Sequence, residues 1–167
     1  IVQISDLHSK SFGKNNIKLL QKIKSLNPDI IVITGDLVDG ENNNYDIALN
    51  FMKELTKLYK VYYIIGNHEQ KALIKKYKQE YIKYFEELNQ IDFINLDDDK
   101  VKIQKNNSKI NLYGLTVPYS CYKYLFDDKE ITTIDSKFLE QKLGDLNKNE
   151  FNILLAHTPF YFDAYEK

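Results

Sequence analysis

An α/β layered sandwich is the fold class this sequence predicts, and three observations predict it. Short β-rich runs alternate with helical patterns through the first half of the chain. Several of those runs are apolar throughout, as strands buried on both faces are. The second half begins with short, partly alternating runs set close together, which reads as a meander, and then returns to helix and strand. At 167 residues the chain is one domain's worth of sequence, long enough to bury a core.

Taken in order, Ile1-Val2-Gln3-Ile4 reads as the first strand. Asn16 to Leu26 places Leu19, Leu20, Ile23 and Leu26 at helical spacing, and Asn27-Pro28 stops it. Ile30-Ile31-Val32-Ile33 is a buried strand, Tyr45 to Tyr59 a helix through Ile47, Leu49, Met52, Leu55 and Leu58, and Val61 to Ile65 another buried strand. One longer helix is expected over Gln70 to Leu88, with Leu73, Tyr77, Tyr81, Phe85 and Leu88 on one face and Lys71, Lys75, Lys76, Lys78 and Lys83 solvated. Phe93 to Leu96, Lys100 to Gln104 and Lys109 to Leu115 read as consecutive antiparallel strands. Tyr119 to Asp128 is an irregular aromatic loop; a helix over Ser136 to Leu146 and a buried strand over Phe151 to Ala156 follow.

Composition narrows the function classes. The formal net charge is -1, so no global field draws in nucleic acid or an anionic membrane, and no basic, aromatic-interleaved groove argues for a nuclease. No apolar run approaches the roughly 20 residues that span a bilayer. Cys121 is the single cysteine, which excludes an internal disulfide and leaves the compartment open. Every basic residue is lysine, so phosphate, if bound, must be gripped by something other than arginine forks, such as metal ions. The chain starts inside a strand-like segment without a methionine, and the expectation is that both ends are cut.

Four clusters each follow a predicted strand, the position where open α/β sheets place their ligands. They are Asp6-Leu7-His8, Gly35-Asp36-Leu37-Val38-Asp39, Gly66-Asn67-His68-Glu69 and Ala156-His157-Thr158-Pro159. Asp6 and His8 are two apart, so an extended segment would turn both to one side to share a cation. Asp36 could bridge two ions through its two oxygens, with Asn67 and His157 completing a second site. Mixed carboxylate and imidazole donors suit Mn, Fe or Zn better than Ca or Mg. Gly35 and Gly66 let the backbone approach a ligand closely. A lone Asp-x-His arises by chance, and a lone histidine after a strand is usually no ligand. Here all three histidines of the chain fall in these clusters at equivalent strand ends, and jointly they read as a metal site.

In order and spacing, Asp-x-His, Gly-Asp-x-x-Asp, Gly-Asn-His-Glu and the later strand–His resemble the calcineurin-like metallophosphoesterase superfamily. Ile4-Ser5-Asp6-Leu7-His8, Ile33 to Asp39 and Leu154 to Pro159 resemble its bacterial, often membrane-anchored phosphohydrolase branch. The resemblance implies a four-layer αββα sandwich and a phosphomonoester or phosphodiester hydrolase. It implies that Asp6, His8 and Asp36 hold one divalent ion, and that Asp36, Asn67 and His157 hold the other. Two ions about 3.5–4 Å apart would bind a hydroxide for in-line attack on phosphorus. His68 would serve the leaving group as acid or charge stabiliser, oriented by a hydrogen bond to Asp39. The family's further Gly-His-x-His element does not occur before Lys167. The expectations are therefore partial metal occupancy, low activity, and sheet edges open to self-association. The competing reading is a non-catalytic binding scaffold on the same fold, which would have no need of His68 and Asp39 beside intact ligands. The aromatic stretch Tyr119, Tyr122, Tyr124, Leu125 and Phe126 is expected to cap the sandwich; the other reading is a border to the active site that admits an apolar or nucleobase leaving group.

Overall fold

The computed structural model describes residues 1–41, 44–74, 77–122 and 133–166. Seven strands and six α-helices build it: β1 (Val2–Ile4), α1 (Ile17–Ser25), β2 (Ile30–Ile33), α2 (Asp46–Thr56), β3 (Lys60–Tyr63), α3 (Asn67–Ile74), α4 (Lys78–Leu88), β4 (Ile94–Asn95), β5 (Asp99–Lys105), β6 (Ser108–Leu115), α5 (Ser136–Leu143), β7 (Phe151–Ala156) and α6 (Phe162–Tyr165). One sheet runs β1-β2-β3-β4, all parallel; the other runs β5-β6-β7, with β6 antiparallel to β5 and parallel to β7.

The period-2 alternation of strands sorts the apolar residues into layers. Ile31, Ile33, Val61 and Tyr63 face outward from the first sheet and pack with Leu49, Met52, Leu55, Tyr81, Tyr84 and Leu88 of α2 and α4. Their neighbours Ile30, Val32, Tyr62 and Ile64 face the other way and meet Leu112 and Leu155 of the second sheet. Tyr113 and Leu115, on that sheet's far face, pack with Leu143 of α5 and Ala164 of α6. The result is helix, sheet, sheet, helix: the four-layer αββα sandwich. Gly114 allows the two sheets to close, because a Cβ there would lie 2.6 Å from that of Leu96 and 2.7 Å from Ile64.

Three expectations are corrected. The single helix over Gln70 to Leu88 is two helices, α3 and α4, and Tyr77 before α4 has φ -97° and ψ 25°. The apolar face stayed in phase across the break, so periodicity alone did not show it. The run around Ile94 is not part of a meander: β4 pairs parallel to β3 in the first sheet, and the chain changes sheets at Asp97–Asp98. Helix α5 stops at Leu143, where Gly144 turns to φ 71°, as a left-handed glycine ends helices. Tyr124, Leu125 and Phe126 lie outside the described residues. No helix among the described residues is long and apolar enough to cross a membrane.

Candidate metal centre

Backbone hydrogen bonds carry the strand registers of the first sheet into the loops beyond it. Asp6 N–H donates to the Gly35 carbonyl (3.2 Å), His8 N–H to that of Asp36 (2.9 Å) and Ser9 N–H to that of Leu37 (2.8 Å). The loop after β1 is therefore laced to the loop after β2. Asp6, His8, Ser9 and Asp36 all hold positive φ, between 49° and 56°. Such conformations cost about 1–3 kcal/mol each for non-glycine residues and cluster at functional sites. The Asp6–His8 segment expected to be extended thus departs from that shape at Asp6 and His8, and it still brings both side chains to Asp36.

Asp36 is the buried hub. Its carboxylate is 3% exposed, and its Oδ2 lies 3.2 Å from His157 Nε2, 3.8 Å from His8 Nε2 and 3.9 Å from His68 Nε2. Asp6 Oδ1 stands 3.5 Å from His8 Nε2, and Asn67 Oδ1 lies 3.0 Å from His157 Nε2. Six of the seven residues singled out in sequence therefore converge with their side chains. The contacts of His8 and His68 to Asp36 are too long for hydrogen bonds: the donors face a shared space instead of one another. His8, Asp36 and His68 form one group, and Asp6, Asp36 and His157 another, with candidate ligand atoms all within 4.8 Å in each. Exposure rises from Asp36 to Asp6, whose side chain is 56% exposed.

The second ring nitrogens orient the imidazoles. His157 Nδ1 donates to the Thr34 carbonyl at 2.7 Å, and His68 Nδ1 pairs with the Asp39 backbone carbonyl. A carbonyl only accepts, so both Nδ1 atoms carry hydrogen and both Nε2 atoms face Asp36. Asp39 therefore meets His68 through its main chain, whereas its carboxylate accepts from Glu41 N–H at 2.8 Å. Burial opposes ionisation of Asp36, but the hydrogen bond and charge of His157 outweigh it and hold the acid below its ordinary value. Burial likewise disfavours a charged His157, yet the bond to Asp36 raises it to about 9.

Sequence reasoning quoted Glu69 but gave it no role. It is 0% exposed, and its carboxylate accepts from the backbone N–H groups of Asp36 (2.9 Å), Leu37 (2.8 Å) and Gly66 (2.9 Å). Burial, then the charge of Asp36, push it up to about 7 against those N–H donors. Its reach to a loop 32 residues away is invisible in the sequence. Asp97 is a second tie: its Oδ1 accepts from Ile65 N–H (3.0 Å) and Thr116 Oγ1 (2.7 Å), joining the end of β3 to the second sheet.

A model of the calcineurin-like phosphoesterase family matches residues 1–167. The chain belongs to that family. Among its relatives is a probable glycerophosphodiester phosphodiesterase of Arcobacter nitrofigilis, 33% identical over 126 residues, covering 66% of this chain and 44% of that protein. An uncharacterized metallophosphoesterase of Bacillus subtilis is 29% identical over 161 residues, covering 95% and 53%. One of Campylobacter jejuni is 24% identical over 169 residues, covering 95% and 38%. The chain thus spans about half or less of the length of these relatives. The family assignment and the candidate ligand groups agree on a domain with residues placed to hold metal.

Proposed function

We propose that this domain hydrolyses phosphodiesters or phosphomonoesters with two divalent ions that share Asp36. The observation that carries the reading is the convergence of three imidazole Nε2 atoms on one buried carboxylate oxygen at 3.2–3.9 Å. The donor set fits such ions. Its mixed nitrogen and oxygen character suits Mn, Fe or Zn, and the Thr34 carbonyl, by taking the Nδ1 hydrogen of His157, leaves that ring's Nε2 aimed at Asp36 and open to an ion once its proton is displaced. Asp6, His8 and Asp36 would hold one ion; Asp36, Asn67 and His157 would hold the other. When bound, the ions supply Lewis acidity and charge for a phosphoryl group that no arginine in this chain can grip.

The remaining chemistry belongs to the chain itself. Asp36 orients the ligands around it and is itself held by the His68 N–H, which donates to Oδ1 at 2.9 Å. His68 keeps Nδ1–H on the Asp39 carbonyl, so as imidazolium it has Nε2–H free to donate to a leaving-group oxygen. That proton transfer is the acid half of the hydrolysis. The partner is a small phosphoester. A diester is favoured by the name of the Arcobacter relative, at modest identity. The scaffold reading gains no specific observation here.

The test is hydrolysis of bis(p-nitrophenyl) phosphate with added Mn²⁺, beside His68→Asn and beside p-nitrophenyl phosphate as a monoester. Turnover that needs the ion and disappears in His68→Asn supports the reading. Turnover equal in both proteins removes His68 from the chemistry. No turnover in a chain loaded with metal favours the scaffold.

A further inference from the structure

The residue that stands out beyond the ligands is Glu69. It sits in the third position of α3, and its bond to Gly66 N–H is an ordinary capping-box contact. A cap needs nothing more. Yet the same carboxylate takes two further N–H groups, those of Asp36 and Leu37, from the loop after β2. Those are the residue that hosts the shared carboxylate and its neighbour. Around it the backbone is held in unfavourable shapes: Asp36 has φ 54° and Gly35 φ 97°, and a Cβ at Gly35 would lie 2.6 Å from Gly66 Cα. Two loops are pressed together, one in a left-handed turn, and one buried acid satisfies the N–H groups of both.

We propose that Glu69 is the positioning residue of the metal centre: it clamps the Gly35–Leu37 and Gly66–His68 loops so that Asp36 stands where both ligand groups need it. This rests on the metal-centre reading and deepens it. Glutamine cannot replace it. Three N–H donors converge on two oxygens, and a carboxamide offers one oxygen and one NH₂ group. Whichever way the amide turns, at least one buried backbone N–H faces another donor. The Asp36 loop should then relax out of its strained turn and carry the bridging carboxylate with it.

The experiment compares Co²⁺ and Mn²⁺ binding, by visible absorption and calorimetry, in the wild type, Glu69→Gln and the core control Ile31→Val. All are measured well below their unfolding temperatures. The expected result is a folded Glu69→Gln with affinity about 10- to 100-fold weaker and an altered Co²⁺ spectrum, as loss of an outer partner of a ligand gives, and Ile31→Val unchanged. A folded Glu69→Gln with wild-type affinity and spectrum overturns the inference. If that variant does not fold, amide hydrogen exchange on the wild type in EDTA decides. Asp36, Leu37 and Gly66 protected like Val32 uphold the clamp; free exchange at those three overturns it. A wild type that binds neither ion removes the metal-centre reading and this inference together, whereas normal binding in Glu69→Gln removes only this one.

Discussion

Gly66→Ala is the substitution whose consequence can be worked furthest. A Cβ added at Gly66 would stand 2.9 Å from Asp36 Cγ and 2.8 Å from Asp36 N, and would overlap Oδ1. Ordinary non-bonded contact is about 3.5–4.0 Å, so the overlapped Asp36 Oδ1 must retreat by roughly 1 Å or more, and the main-chain N beside it must give as well. The carboxylate has little room, being buried and hydrogen-bonded to the His68 N–H. Overpacking of this kind costs about 1–3 kcal/mol, which for a domain of this size lowers Tm by roughly 2–12 °C. The larger effect is on function, because a displacement of about 1 Å at a catalytic centre costs around 100-fold in rate. The control is Gly144→Ala. That glycine, at φ 71°, would meet only the flexible Lys100 Nζ at 3.2 Å, so about 1–3 kcal/mol of backbone strain and unchanged metal affinity are expected. Thermal melts and Mn²⁺ calorimetry on both variants read the two quantities. Gly66→Ala with wild-type affinity and turnover would refute the claim that Asp36 is fixed by this packing.

Other expectations follow from the same geometry. His68→Asn should keep the bound-ion count of the wild type and lose about 100-fold or more in turnover, read by metal analysis beside the assay; loss of an ion would make His68 a ligand in place of an acid. His157, raised to about 9 by Asp36, binds its proton more tightly folded than unfolded. Its stabilisation is therefore full below the unfolded value near 6.5 and is lost as pH rises through about 9. In EDTA the wild-type Tm should fall across that window, and His157→Ala should flatten the fall; a parallel decline in both would exclude the pair as its source. Because the ion displaces that proton, Mn²⁺ affinity should rise over the same pH range, and a pH-independent affinity would count against His157 as a ligand.

Much of this was legible in the chain. The uninterrupted run Ile30–Ile33 announced a strand covered on both faces, and it is buried at every position. The clusters after β1, β2 and β3 meet because parallel strands of one sheet deliver their carboxyl ends to one side, and the second sheet brings His157, after β7, to the same place. What was illegible depends on contacts distant in sequence. The break before α4 left the apolar phase intact, with Tyr81, Tyr84 and Leu88 still on one buried face. The two-residue strand β4 is placed by its pairing to Tyr62 and Tyr63, which its own residues do not encode. The expected pairing of Asp39 with His68 is present, but through a carbonyl every residue possesses, an atom no side chain could signal. Glu69 carried no role in the sequence because two of its three N–H partners, Asp36 and Leu37, lie more than thirty residues away.

The central claim is that two ions share Asp36, and anomalous diffraction at the manganese edge tests it most directly, on crystals soaked in excess Mn²⁺. The account expects two peaks about 3.5–4 Å apart, both within bonding distance of the Asp36 carboxylate, one beside Asp6 and His8 and the other beside Asn67 and His157. A single peak away from Asp36, or none at saturating Mn²⁺, would contradict it.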